Sequence, residues 1–311
     1  MPKPKSAFTF RITLPATSAN LGPAFDAAAL AFDIHLKLEA RAAASDSIIA
    51  TGRDSAICGA VENHLILTTY REVMRANNKS PQPLALKIHN DIPIGKGCGS
   101  SAAARLAGIA LANHYGKLRR TDSQIIGEAS RREHHPDNAS ACWMGGLTVA
   151  RMSAEAEAQV ARIQPKGDWP LLLAVPPEPL STEEARRVLP AQYSRADAVI
   201  NIQNSMLLLA AFVQGTPDFL AAALEDRIHQ PYRVPLCPLL PAIQQLAGRD
   251  GILGAALSGA GPSILIFLDP RKKIAVKKIA AQVAAHLASK NLKAELMFTK
   301  IAGKGAADAQ R

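Results

Sequence analysis

The sequence predicts an α+β protein of about two domains, on three observations. Its 311 residues exceed what a single hydrophobic core usually organises. Runs that alternate apolar with polar residues recur along the chain, separated by alanine-rich stretches of helical character. The densest glycine segment lies between a strand pattern and a helix pattern, where a backbone can fold around a ligand before entering the helix. A proline-rich stretch over 165–179 marks the break, giving domains over 1–165 and 166–311.

Taken in order, Phe8, Phe10, Ile12 and Leu14 alternate with Thr9, Arg11 and Thr13, the pattern of a half-buried strand. Phe32, Ile34, Leu36 and Leu38 alternate with Asp33, His35, Lys37 and Glu39 in a second strand, which puts His35 on a solvated face. Between them lies Pro15-Ala16-Thr17-Ser18-Ala19-Asn20-Leu21-Gly22-Pro23-Ala24-Phe25-Asp26, far more than a hairpin turn needs. Long polar connections of this kind are often functional; read plainly, Asn20, Gly22 and Asp26 are turn residues that satisfy their own backbone. Residues 47–51 suggest a short strand, Asn63 caps a helix to about Arg75, and Leu84, Leu86 and Ile88 form a strand leading into the glycine segment.

That segment is Pro93-Ile94-Gly95-Lys96-Gly97-Cys98-Gly99-Ser100-Ser101-Ala102-Ala103. Gly95, Gly97 and Gly99 can take positive φ, and Ser100 or Ser101 is a good N-cap for a helix beginning near Ala102. The helix would aim its free N–H groups and dipole at the loop, which makes a phosphate cradle. Lys96 lies between glycines, which excludes a Walker A loop, and Ser100 stands where the dinucleotide fingerprint needs a third glycine. A flexible loop before a well-capped helix is the simpler alternative.

Thr121-Asp122-Ser123-Gln124 is a capping box opening a helix toward Arg132. His134, His135 and Asp137 lack zinc spacing and read as loop-capping residues; Gly145 and Gly146 then lead a strand. In the second half, 169–175 is an apolar strand, and Ser181 opens a helix carrying Arg186 and Arg187. Alanine-rich helices follow over 196–214 and from Thr216, with Pro217 at a first helical position. Strands over 251–257 and 264–268 pair across a glycine-rich turn before a final helix and strand, and the tail from Gly303 reads as frayed.

The formal charge of +10 favours an anionic ligand, yet much of it sits in a lysine-rich C-terminal surface with almost no aromatics, which argues against nucleic acid. Four scattered cysteines, Cys58, Cys98, Cys142 and Cys237, indicate a reducing compartment, and Cys98 reads as a small apolar group closing its loop. With no signal-peptide pattern and no apolar run of spanning length, a soluble cytoplasmic protein without a membrane partner is expected.

Four stretches together resemble the GHMP kinase superfamily and, within it, the homoserine kinases. They are 15–26, 93–103, Leu257-Ser258-Gly259-Ala260-Gly261-Pro262-Ser263, and His135-Pro136-Asp137-Asn138 with Gly145 and Gly146. Cys98 stands where that family usually has leucine, Ala24 where glycine is common, and Glu133-His134 where Glu-Gly is usual. The resemblance implies an N-terminal domain like the second domain of ribosomal protein S5, a ferredoxin-like C-terminal domain, and a site between them. It implies transfer of a phosphoryl group from ATP, with Mg2+, to the hydroxyl of L-homoserine, in a homodimer.

By the same resemblance, residues 93–103 hold the phosphates, Asn63 lies near the adenine, and Ser100 and Glu133 hold the metal, with Glu128 as the alternative carboxylate. Asp26 takes the substrate ammonium, Arg186 and Arg233 its carboxylate, and Asn20 and Asn138 lie near the reacting hydroxyl. Asn138 cannot act as a base, so the γ-phosphate takes the proton, with Asp137 the lesser candidate. The rivals are a mevalonate-type kinase, which has no use for an amino-acid clamp, and a basic RNA-binding protein on the S5-like half.

Overall fold

The computed structural model describes residues 10–153, 157–272 and 276–309, so Phe8 and Thr9 lie outside the described residues. β1 (Phe10–Asn20) and β2 (Ala24–Ala42) form one long antiparallel ribbon, paired from Phe10 opposite Ala40 to Asn20 opposite Ala24, with register shifts after Pro15 and after Ala19. The expected long connection is therefore mostly strand, with a turn of only Leu21, Gly22 and Pro23. Thr17, Ser18 and Asn20 are buried, because other backbone packs over this end of β1. His35 is half-buried, not solvated: β10 (Glu295–Lys300) lies against β2 and brings Lys300 within 3.9 Å of Asp33.

The first sheet continues with β3 (Ser47–Gly52), parallel to β4 (Leu84–Asn90), and with β5 (Leu147–Met152) and β6 (Ala158–Ile163), in the order β3-β4-β2-β5-β6 with β1 on β2. Between these strands come α1 (Ser55–Gly59), α2 (Leu65–Ala76), α3 (Ser100–Gly116), α4 (Asp122–Glu133) and α5 (Asp137–Met144). Asn63 does not cap α2. It takes φ +53°, a conformation asparagine tolerates, and His64 holds the cap position. Nor do Ser100 and Ser101 cap α3: Gly99 stands there at φ +71°, which frees both hydroxyls in the first turn. The capping box at Thr121 is formed in both directions.

The second sheet is antiparallel throughout, with strands β10-β7-β9-β8 in that order, from β7 (Pro170–Val175), β8 (Ile252–Leu257) and β9 (Ile264–Leu268). In chain order this is 4-1-3-2, the ferredoxin-like arrangement the resemblance implied. β7 reads as a continuous apolar run because both its faces are buried. Leu171, Leu173 and Val175 join the large core shared with the first sheet, while Leu172 and Ala174 join a second core under α10 (Leu239–Gln244) and α11 (Val276–Ala288). α6 (Thr182–Arg187), capped by Ser181, α7 (Arg195–Gln214), α8 (Pro217–Ala223) and α9 (Gln230–Arg233) fill the connection from β7 to β8.

Two further expectations change. α7 is long and apolar enough to span a bilayer, with a mean hydropathy of 1.4. On its inward side Asn201 and Ser205 both donate to the carbonyl of Pro23. The tail is not frayed through Ala309: Ile301 bridges to Phe32, Ala302 N–H donates to Ala31 O and its carbonyl accepts from Gly146 N–H, and Ala306 is wholly buried in the first domain.

Candidate active site

The glycine segment takes the predicted conformation, with φ of +68° at Gly95, +75° at Gly97 and +71° at Gly99. Its carbonyls are held from outside by four different donors. Leu180 N–H donates to Gly95 O, Ser263 N–H to Lys96 O, the Ser258 hydroxyl to Gly97 O, and Thr17 N–H to Cys98 O, at 2.7 to 3.3 Å. In a planar trans peptide the N–H points opposite to the C=O, so the N–H groups of Lys96, Gly97, Cys98 and Gly99 turn away from this scaffold. Backbone N–H groups arranged in this way at the start of α3 have the geometry an anion site requires.

The glycines matter for a reason the sequence did not reveal. A Cβ on Gly97 would stand 2.2 Å from Ser258 O and 2.6 Å from Gly261 O, so its missing side chain admits the 258–261 turn, not a ligand. A Cβ on Gly99 would meet the Thr17 hydroxyl, which donates to Asn138 Oδ1 at 2.6 Å. Thr17 lies in the 15–26 stretch but was not singled out, because nothing local shows that its hydroxyl meets Asn138, 121 residues away. Cys98 is wholly buried and its thiol is pushed up to about 12 by burial, so it closes the loop as an inert apolar group.

The cleft beside the loop is lined by Asn20, Asp26, residues 97–102, Glu133, His135, Asp137, Asn138, Arg186, Arg233 and the 259–261 turn. Most of the expected residues therefore come together; of the others, Pro93, Ile94 and Lys96 line a neighbouring groove, Ala103 is buried in α3, and Asn63 lines an adjoining apolar cavity of about 650 Å3. Ile57, Leu65, Ile66 and Ile88 also line that cavity, which reaches Gly95, Ser100 and Ser101. Asn20, at φ +71°, donates from Nδ2 to Gly259 O at 2.8 Å and accepts from Asp26 N–H at 2.9 Å, tying three cleft segments together.

Charge in the cleft is paired. Arg186 grips Asp26 with both guanidinium arms, at 2.7 and 3.0 Å, so the residues expected to hold opposite ends of one substrate here hold each other. Arg233 is 1% exposed, donates to Ala185 O at 2.9 Å and is lowered to about 10 by burial and the neighbouring Arg186 charge, still fully protonated near neutrality. Glu133 Oε1 accepts from the Ser101 hydroxyl at 2.7 Å and from Arg105. Glu128 instead sits among Arg120, Arg131 and Arg132; burial opposes its ionisation, but the arginines win and hold its carboxyl below the usual range.

His134 ends α4 at φ +67°, where a glycine is usual, and Asp137 opens α5 directly. Asp137 Oδ1 accepts from Asn138 N–H and pairs with His135 Nδ1 at 2.6 Å. Burial works against protonation of His135, but the Asp137 hydrogen bond and charge outweigh it, and its pKa is raised.

The model of the N-terminal domain of GHMP kinases matches residues 64–146, and that of their C-terminal domain residues 208–289. The chain is 44% identical over 260 residues to the homoserine kinase of Solibacter usitatus, across 84% of this chain and 85% of that one. To the homoserine kinase of Desulfitobacterium hafniense it is 34% identical over 297 residues, across 96% and 99%. Among solved structures, homoserine kinase from Cytophaga hutchinsonii superposes with a TM-score of 0.80 at 22% identity over 98% of both chains. L. major mevalonate kinase does so with 0.69 at 15% identity, over 94% of this chain and 96% of that one, a likeness of fold alone.

Proposed function

The chain belongs to the GHMP kinases and, within them, to the homoserine kinase family, and from that premise we propose how its cleft carries the γ-phosphoryl group of ATP to the side-chain hydroxyl of L-homoserine. The product, O-phospho-L-homoserine, serves threonine biosynthesis. The observation that carries the reading is the convergence, in one cleft, of an outward-braced loop of N–H groups with a carboxylate and two guanidiniums.

The phosphates lie along the N–H groups from Lys96 to Ser101, and the adenine enters the apolar cavity beside Asn63. The residues at the end of the loop fit magnesium: the Glu133 carboxylate stands against the Ser101 hydroxyl, with Ser100 beside it, a set of hard oxygen donors. When bound, the ion neutralises charge on the β- and γ-phosphates. We assign Glu133 to it, since Glu128 is enclosed by its own arginines. The resemblance implied Ser100 as the second metal ligand; the hydroxyl hydrogen-bonded to Glu133 is that of Ser101.

Homoserine enters by exchange. Its ammonium replaces the guanidinium on Asp26, while Arg186 turns to the substrate carboxylate beside Arg233. A molecule with only one of these charges leaves the other partner of the ion pair uncompensated, so the pair selects zwitterions. This separates an amino-acid kinase from a mevalonate-type one. The hydroxyl oxygen then forms the new P–O bond as the bond to ADP breaks. Asn138 is an amide whose oxygen already accepts from Thr17, so the proton passes to a γ-phosphate oxygen. Asn20 and Thr17 hold the strand end and Asn138 in place while this happens.

We take 1–165 and 166–311 as the two domains, with residues 301–309 returning to pack on the first, and the enzyme as a soluble cytoplasmic homodimer acting without nucleic acid or membrane. The test is coupled ADP release with homoserine, serine, threonine and mevalonate side by side. Homoserine should be turned over far faster than the rest; equal turnover of mevalonate moves the chain elsewhere among GHMP kinases. Salt-sensitive RNA binding without turnover supports the RNA-binding alternative instead.

A further inference from the structure

His229 stands at the start of α9, four residues before Arg233, and is wholly buried. Its backbone is fixed by Asp226, whose carboxylate accepts the N–H groups of Ile228, His229 and Gln230 at 2.6 to 2.9 Å. Its ring joins two segments of the cleft: Nε2 lies 2.8 Å from Gly22 O, in the turn before Asp26, and Nδ1 lies 3.0 Å from an Arg233 guanidinium nitrogen. A guanidinium only donates, so Nδ1 must be the acceptor and carry no proton. A carbonyl only accepts, so Nε2 must carry it. The contacts therefore demand one tautomer of the neutral ring. Burial and the Arg233 charge push its pKa well below the usual histidine value, against the pull of Asp226.

The ring also stacks on Phe25, with centroids 5.2 Å apart, and the Arg186 and Arg233 guanidiniums lie 5.4 and 5.5 Å from that same phenyl ring. Arg233 is thus held on one side by Ala185 O and on another by His229. We infer that His229 is a positioning residue for the amino-acid end of the substrate, aiming the Arg233 guanidinium through Nδ1 and locking it to the Asp26 turn through Nε2. The inference rests on the reading of Arg233 as a carboxylate ligand.

Asparagine can place an acceptor near Nδ1, whereas glutamine can place a donor near Nε2 but loses the Nδ1 acceptor. His229→Gln should raise KM for homoserine about tenfold or more, with kcat and KM for ATP little changed, and His229→Asn should recover most of that loss. Equal losses in the two variants overturn the inference, as does a loss that falls alike on kcat, KM for ATP and the thermal midpoint. If neither variant folds, 15N NMR of the unaltered protein decides: a His229 ring protonated at Nε2 alone supports it, and a proton on Nδ1 near neutral pH overturns it. An Arg233→Ala variant with an undiminished preference for homoserine over an analogue lacking the carboxylate sinks the carboxylate assignment itself, which keeps the two failures apart.

Discussion

Replacing Gly97 by alanine should disable the cleft by displacing the loop, without touching any residue that contacts substrate through its side chain. The position holds φ +75°, which costs an L-residue about 1–2 kcal/mol. The new Cβ would lie 2.2 Å from Ser258 O and 2.6 Å from Gly261 O, both backbone atoms, so the two loops must part by about 1 Å to reach ordinary contact. Parting them weakens the Ser258 hydroxyl bond to Gly97 O and the Ser263 N–H bond to Lys96 O, at about 1 kcal/mol each. The sum is a loss of about 3 kcal/mol in stability, with kcat/KM lower by about 100-fold, the usual effect of misplacing reacting groups by about 1 Å. Gly248→Ala is the control: φ is +79° there and nothing lies within 4 Å, so it carries the conformational cost without the collision. Thermal melts, ATP titration and ADP release on both variants separate the two terms. Folded Gly97→Ala that binds ATP and turns over as Gly248→Ala does refutes the reasoning.

Glu133→Gln should lower turnover and raise the magnesium requirement, whereas Glu128→Gln should cost stability through its three arginines; the reverse ranking in a magnesium titration moves the metal to Glu128. For Arg233, alanine should weaken homoserine about 10- to 100-fold and lysine less, because lysine keeps the charge but not the planar fork, while ATP affinity stays nearly constant; a lysine variant that binds homoserine as wild type does counts against a bidentate contact. Homoserine analogues lacking the ammonium, the carboxylate or both should show coupled losses, the second deletion costing less than the first, and strictly additive losses contradict entry by ion-pair exchange. His135 has a raised pKa, so its charged form stabilises the fold fully below about pH 6.5 and that contribution disappears as pH rises through the folded value. The deficit in thermal midpoint of His135→Gln should therefore shrink toward alkaline pH, and a pH-independent deficit is inconsistent with the pairing to Asp137.

Much of this was legible in local pattern. The Thr121 box, Pro217 at a helix start, the period-two runs of β2 and β4 and the three loop glycines each carry their signal within a few residues. What escaped depends on distant partners. The polar stretch 15–20 looks like loop until the 98 and 259 backbones are seen to accept and cover it. Ser100 and Ser101 look like caps, but the turn before them uses Gly99, and Ser101 is drawn to Glu133 from another helix. The opening of α5 at Asp137 was hidden because Pro136 and two histidines before it read as loop. The candidate site residues were picked out through their family pattern; that Asp26 and Arg186 are paired, and that Asn20 ties backbone segments, only three dimensions disclose.

The docking of Ala302 between Ala31 and Gly146, with Ala306 buried beyond it, makes the first domain discontinuous in sequence. Residues that seal it are synthesised only after the whole ferredoxin-like unit has been made. The sheet that carries the phosphate loop must therefore wait on the ribosome with an uncovered flank, while the second domain can close over its own strands first. Cutting the chain near residue 165 leaves a first half lacking part of its own core, and a fusion that supplies residues 301–309 in trans or by permutation restores what a shorter boundary removes.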